Sequence, residues 1–153
     1  MAMTALSEEQ NTAWKSLVRA HANIVNAVDR ELTTEHKLGL ADYDVLSQLS
    51  QSSDRSLRMT ELAKQVLLSP SGLTRRLDGL VKQGYVERRP CPSDGRGLLA
   101  YITDTGMEKL QNMQPTHTTG VREHFVDVVE EPQLIQLSSL LTSLADATQN
   151  EHV

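Results

Sequence analysis

The segment from Leu68 to Ile102 constrains the fold more tightly than any other part of the chain. It opens on Leu68-Ser69-Pro70-Ser71, where the Ser69 hydroxyl is placed to cap a helix. Pro70 then falls at the first helical position, at which a missing amide hydrogen costs nothing. Leu73, Leu77, Leu80 and Val81 follow at helical spacing as one apolar edge, and Gly84 stops the helix. Two β-prone runs come next, Tyr85-Val86-Glu87-Arg88-Arg89 and Leu98-Leu99-Ala100-Tyr101-Ile102. Asp94-Gly95 between them is a strong turn signal, so the runs read as a hairpin.

Helices surround that unit. Ser7 and Gln10 form a capping box ahead of a long apolar stripe, Trp14, Leu17, Val18, His21, Ile24, Val25, Val28 and Leu32. A second helix is expected to start with Asp42 as its cap and to bury Tyr43, Val45, Leu46 and Leu49. The polar run Ser50 to Asp54 is a loop, Leu57-Arg58-Met59 a short strand, and Thr60 the expected cap of a helix through Leu62, Ala63, Val66 and Leu67. After Thr103-Asp104 comes a helix with Met107, Leu110 and Met113 on one side. Pro115 and Gly120 predict a kink or break in it, with the pattern resuming from Val121 to Val129. Pro132 opens a last amphipathic helix. The order from Asp42 to Ile102 is that of a winged helix-turn-helix, in which the second of two short helices enters a major groove and the hairpin reaches the flanking backbone. The expected class is mainly α (α+β), a single domain over residues 1–153. Within it, an N-terminal dimerisation helix spans 7–37, the winged unit 40–105 and C-terminal dimerisation helices 106–150.

Composition narrows the function. At 153 residues with 39% apolar and 23% charged residues, the chain can bury a core without a disulfide or metal staple. No apolar run is long enough to cross a bilayer, and Met1-Ala2-Met3-Thr4 lacks the basic and apolar blocks of a secretory signal. With a single cysteine, Cys91, the expected location is the reducing cytoplasm. The net charge of -5 argues against a nucleic-acid binder until it is divided. Ten basic and six acidic residues lie between Arg55 and Lys109, a net of +4, which leaves -9 for the rest. A basic centre between acidic ends suits a DNA-reading module flanked by assembly helices.

The helix and hairpin carry the chemistry for that reading. Ser69, Ser71, Gly72, Thr74, Arg75, Arg76 and Lys82 lie off the apolar edge of the helix. Hydroxyls and free amides at its first turn suit phosphate, and the arginines have the reach for phosphates or guanine edges. On the hairpin, Arg88 and Arg89 leave the first strand and Arg96 sits near the tip, where it could enter a narrow minor groove. Asp94 would hold the turn or orient Arg96.

These residues bring a family into view. Thr60-Glu61-Leu62-Ala63, then residues 69–89 (SPSGLTRRLDGLVKQGYVERR), then Ser93-Asp94-Gly95-Arg96 and Ile102-Thr103-Asp104-Thr105-Gly106 resemble the MarR family of homodimeric transcription regulators. The resemblance covers about residues 40 to 106 and extends to the flanking helices only in length and amphipathic character. It implies that residues 69–84 are the recognition helix, that Arg96 is the wing-tip arginine supported by Asp94, and that the operator is pseudo-palindromic. Gly95 departs from the pattern, because many relatives have an arginine there, and Pro115 and Gly120 fall where relatives have one long helix.

Other readings use residues outside that block. Relatives often respond to small phenolic or anionic ligands, for which Trp14, Arg19, His21 and Tyr43 supply aromatic walls and charge. A Trp and a His in a helical apolar stripe also suit a dimer core. Cys91 could act as a redox switch beside Arg88, Arg89 and Arg96, or be an inert wing thiol. His21, His36, His117, His124 and His152 show no compact ligand spacing, so no metal is expected. No Walker, dinucleotide or Gly-x-Ser-x-Gly motif is present, so neither catalysis nor a cofactor is expected. The sequence therefore reads as a DNA-binding regulator, a repressor rather than an activator, whose partners are double-stranded DNA, a second copy of itself and a small aromatic or anionic effector. A winged-helix protein-protein adaptor is the alternative.

Overall fold

The computed structural model describes residues 4–66, 68–93, 95 and 97–149. In chain order it places α1 (Glu8–His36), α2 (Leu40–Gln51), β1 (Ser56–Arg58), α3 (Met59–Gln65), α4 (Pro70–Lys82), β2 (Val86–Pro90), β3 (Leu98–Ile102), α5 (Asp104–His124) and α6 (Glu131–Gln149). A 3-10 turn at Val126–Val128 separates the last two helices. The three strands form one antiparallel sheet in the order β1-β3-β2, with Leu57 opposite Ala100 and Val86 opposite Ile102. This is a mainly helical winged helix-turn-helix. None of its described helices is long and apolar enough to cross a membrane.

Caps account for most of the helix starts. The Ser7–Gln10 box closes reciprocally, with the Gln10 amide donating to Ser7 Oγ and the Ser7 amide to Gln10 Oε1. Ser69 Oγ accepts the Gly72 amide at 3.1 Å and Pro70 is the first residue of α4. Two expected caps are displaced. Gly39, not Asp42, precedes α2, and Asp42 sits one turn inside, where its carboxylate accepts the Gly39 amide at 3.0 Å. The Leu40 amide goes instead to Asp29 Oδ1 of α1 at 2.8 Å, so a neighbouring helix does the work the sequence assigned to a local cap. Thr60 likewise lies inside α3, because β1 stays paired through Arg58 opposite Leu99 and the helix starts immediately after it.

The core is continuous across both parts of the molecule. Leu32 of α1, Val45, Leu46 and Leu49 of α2, Leu62 of α3, Leu73, Leu77 and Leu80 of α4, Ile102 of β3 and Met113 of α5 are fully buried in one cluster. Within this core α4 packs on α2, α3 and β2, while α1 and α5 close the same cluster against α2.

The break expected at Pro115 and Gly120 is absent, and α5 runs without interruption from Asp104 to His124. Proline removes one amide donor from the helix, and packing on α1 more than compensates. Gly120 is a close-approach point. A Cβ there would lie 2.6 Å from Glu31 Oε2 and 3.3 Å from a Val28 methyl. Polar contacts line the same seam, with Lys109 Nζ donating to the His36 carbonyl at 2.8 Å and Thr116 Oγ1 lying 2.8 Å from His36 Nε2. The helix ends instead at Phe125, whose backbone leaves the helical region.

At the other end of α5, Thr103 ties the hairpin to α4. Its hydroxyl donates to the Gly84 carbonyl at 2.7 Å and accepts the Gly106 amide at 3.0 Å, while its own amide donates to the Tyr85 carbonyl at 3.0 Å. Gly106 rests directly on that carbonyl, since an added Cβ would stand 2.2 Å from Tyr85 O and 2.7 Å from an Ile102 side-chain carbon. Gly79, in α4, has nothing within 4 Å of the corresponding position. Gly106→Ala should therefore destabilise the protein by about 2–4 kcal/mol, because backbone has to move. Gly79→Ala should stabilise it by about 0.5–1 kcal/mol through helix propensity. Urea unfolding of the two variants beside the parent checks both signs.

Candidate nucleic-acid interface

The first turn of α4 is a polar concavity. Leu68, Ser69, Gly72, Arg75 and Arg76 line a hollow of about 500 Å³ at the helix start. Ser71 Oγ lies 3.3 Å from Ser69 Oγ, and Thr74 Oγ1 donates to the Pro70 carbonyl at 2.9 Å, so the hydroxyls are held against the first turn. Ser69, Ser71, Thr74, Arg75, Arg76 and Lys82 are exposed, and Gly72 is half-buried. Arg75 and Lys82 make no ion pair among the described residues. The start of the helix, the Ser69 hydroxyl and the Arg75 guanidinium border this open, polar space, a setting that suits an anion.

The other candidate cations are already engaged. Arg88 of β2 reaches back to Asp78 of α4 at 2.6 Å and so braces the hairpin against the helix. Arg89 pairs with Glu87 at 2.9 Å and lies with its guanidinium carbon 3.5 Å from the centre of the Tyr101 ring. Arg76 turns toward Asp42, with Nη1 3.5 Å from Oδ2. The Arg88 and Arg89 pairs are largely solvent-exposed and individually worth little, so a phosphate can compete for those two guanidinium groups, whereas Asp42 is mostly buried. Gly95 has φ +64, which suits the turn expected there, while Asp94 and Arg96 lie outside the described residues. Cys91 is buried just past β2, where the hairpin loop begins, with Sγ 3.2 Å from Ser93 Oγ, a position that shields the thiol from the solvent access a redox sensor needs.

Three residues absent from the sequence-based site belong to this surface. Asp42 receives Arg76, Tyr101 carries Arg89, and Arg58 of β1 donates to Ser93 Oγ at 2.9 Å. Strand alternation gave a signal for Tyr101, since Glu87 and Tyr101 are opposite one another and Arg89 is two positions along the same face. For Asp42 there was none, because its partner is 34 residues away on another helix.

A model of the MarR family matches residues 36–97, the span that holds this surface. The structure of Sco3205, a MarR family regulator from Streptomyces coelicolor solved in complex with DNA, superposes with a TM-score of 0.90 at 33% identity, covering 95% of this chain and 91% of that one. AbsC, another MarR family regulator from Streptomyces coelicolor, gives 0.89 at 27% identity, covering 97% and 99%. The HTH-type transcriptional repressor YetL of Bacillus subtilis is 29% identical over 106 residues, 67% of this chain and 64% of its own. The chain belongs to the MarR family. As a MarR-family protein it is a DNA-binding transcription regulator rather than an enzyme.

The ligand candidates of this MarR-family chain are spread along it. Trp14 is 61% exposed on the outer half of α1. Arg19 lies in a shallow groove with Thr12, Lys15 and Ser16. His21 lines a separate apolar cavity of about 280 Å³ with Leu17, Ile24, Val25, Phe125, Leu137 and Leu141. Tyr43 is buried in the core, its ring stacked on His117 with centroids 4.1 Å apart. Burial holds His117 below the ordinary histidine value of 6.5. The unfolded chain therefore takes up the proton first, and the stability associated with neutral His117 is lost as pH falls from about 6.5 toward the lower folded value. His117→Phe keeps an aromatic partner for Tyr43 and removes this titration. Its melting temperature should fall less than the parent's between about pH 7.5 and about pH 5.5 in a thermal-unfolding comparison.

Proposed function

We propose that the protein is a repressor that binds a pseudo-palindromic operator in double-stranded DNA as a homodimer, with α4 of each copy in a major groove. The observation that carries this reading is the polar face of α4. Its capped first turn, Thr74 and Arg75 stand clear of the core at the one helix braced from behind by a hairpin. Residues 69–84 act as the recognition helix, with Ser69, Ser71, Gly72, Thr74, Arg75 and Lys82 facing DNA. Arg88, Arg89 and the Asp94–Arg96 tip reach the flanking backbone. Two such helices related by a two-fold axis meet successive grooves about 34 Å apart.

Unpartnered apolar surface supports the second copy. Residues 7–37 and 106–150 form the pairing region, and residues 40–105 the reading unit. No described residue of α6 is buried, yet Ile135, Leu140 and Leu144 are all more than half exposed, and Trp14, Leu17 and Val18 of α1 are bare as well. The effector is of the small aromatic or anionic class. Its site forms only across the dimer, since Trp14, Arg19, His21 and Tyr43 do not converge within one chain. The protein acts in the cytoplasm on this reading, which its DNA target and single cysteine support.

Selection from a randomised duplex pool supplies the DNA for the test. Affinity for the selected duplex should fall steeply as salt rises, and Arg75→Ala should lower the salt slope by about one phosphate contact. The double variant Arg75→Ala/Arg96→Ala should bind at least about tenfold more weakly, the equivalent of about 1.4 kcal/mol. Binding that ignores salt and survives both substitutions would identify an adaptor instead. Leu140→Asp with Leu144→Asp should yield a folded monomer by sedimentation, with specific DNA affinity lost.

A further inference from the structure

Arg75 and Arg76 are neighbours in sequence, yet about 100° apart around α4. Arg75 shares its stripe with Ser71 and Lys82, both exposed. Arg76 stands between Leu73 and Leu80, which are buried, so it borders the core edge of the helix. Its guanidinium turns toward α2 and meets Asp42, with Nη1 3.5 Å from Oδ2. The Asp42 side chain is only 10% exposed.

Asp42 is itself fixed in place. The same Oδ2 accepts the Gly39 amide at 3.0 Å, and the next amide, that of Leu40, donates to Asp29 Oδ1 of α1 at 2.8 Å. Two carboxylates thus satisfy the free amides that open α2, one from α2 itself and one from α1. Burial pushes the Asp42 carboxyl upward, while the Gly39 amide and Arg76 pull it back down. A carboxylate taken out of water needs a countercharge, and Arg76 is the cation that pairs with it among the described residues. The contacts run without a gap from Asp29 on α1, through the α1–α2 junction, to the middle of α4.

We propose that Arg76 is a positioning residue, which ties the recognition helix to the α1–α2 junction through Asp42, and is not itself a phosphate or base contact. This inference rests on the DNA-binding reading above. It separates two adjacent arginines that the sequence treats alike. Arg75 meets DNA, and Arg76 sets the tilt at which α4 is presented. Because α1 belongs to the proposed pairing region, the same ion pair links the spacing of the two subunits to the orientation of each recognition helix.

The test measures affinity for the duplex selected by the parent protein over a range of salt concentrations. Arg76→Ala should weaken specific binding about tenfold while leaving the slope of log affinity against log salt unchanged, because no phosphate contact is lost. Asp42→Asn, which keeps the shape and the bond from the Gly39 amide, should reproduce that loss although it touches no DNA. The double variant should be no weaker than either single, as expected for two halves of one interaction. Arg75→Ala supplies the contrast, with both affinity and slope reduced. Arg76→Lys keeps the charge, and it should recover only part of the affinity because an ammonium cannot reproduce the planar guanidinium that reaches Asp42. The inference is overturned if Arg76→Ala lowers the slope by about one contact, or if Asp42→Asn binds as tightly as the parent or more tightly by releasing Arg76 to a phosphate. A parent protein that selects no duplex removes the DNA reading itself, an outcome distinct from either.

Discussion

The junction at Thr103 is the contact on which the rest of the arrangement depends. Three hydrogen bonds and one glycine gather the end of α4, the start of β2, the end of β3 and the start of α5 into a few ångströms. A side chain at position 106 would push α5 off the Tyr85 carbonyl, so the absence of a Cβ sets how closely the long helix leaves the reading unit. Beside that exit β2 pairs with β3 from Val86 to Pro90, and Arg88 of the hairpin reaches Asp78 of α4. The Thr-x-x-Gly step is therefore a structural hinge point made rigid, and its chemistry is that of a helix cap whose neighbours happen to be strands.

Along α5 the same logic continues by different means. Gly120 lets α1 approach, and His36, Thr116, Lys109, Glu31 and His124 knit the two helices together on the way. The His124–Glu31 and Thr116–Glu35 contacts at 2.6 Å and 2.7 Å place polar groups where the apolar stripe of α5 is thin. A proline in mid-helix is tolerable in such a setting. One lost backbone bond is small beside the burial of Met113 and Leu110 and the side-chain bonds that flank it.

How much of this was legible in the sequence depends on the range of the interaction. Ser69 with Pro70, the Ser7–Gln10 box, Gly84 at φ +79 and the β2–β3 pair are encoded within a few residues, and the structure has them where the sequence places them. Asp42 and Thr60 were assigned as caps because each has the right chemistry at a helix start. Asp29, 11 residues before the Leu40 amide that it accepts, and the pairing of β1 with β3 set those starts instead. Pro115 and Gly120 read as a break because a single chain pattern shows the missing donor and the missing side chain, but not the facing helix that makes both harmless. In the candidate site, residue types were legible and their commitments were not. Nothing in the order Arg75-Arg76 tells which of the two has a carboxylate waiting for it on α2.

The charge distribution takes on a physical meaning once those commitments are known. The central surplus of +4 already counts Asp78 and Glu87, which hold Arg88 and Arg89, and Asp42 outside the window takes up Arg76 as well. A duplex must draw exposed cations away from such pairs to gain their full attraction, so the long-range pull on DNA of arbitrary sequence is small. On the homodimer reading, tight binding comes from contacts that act together at two half-sites, where engaging the first copy raises the effective concentration of the second. The bare apolar face of α6 and the outer half of α1 are what would hold two copies at a fixed spacing, and the -9 outside the basic window is divided into -4 on the residues before it and -5 on those after it. On the homodimer proposed above, modest central attraction and exposed apolar helices belong to one arrangement. A chain that bound DNA well as a monomer would gain little selectivity from a palindrome, whereas in that dimer modest attraction at each half-site makes the pair of sites decisive.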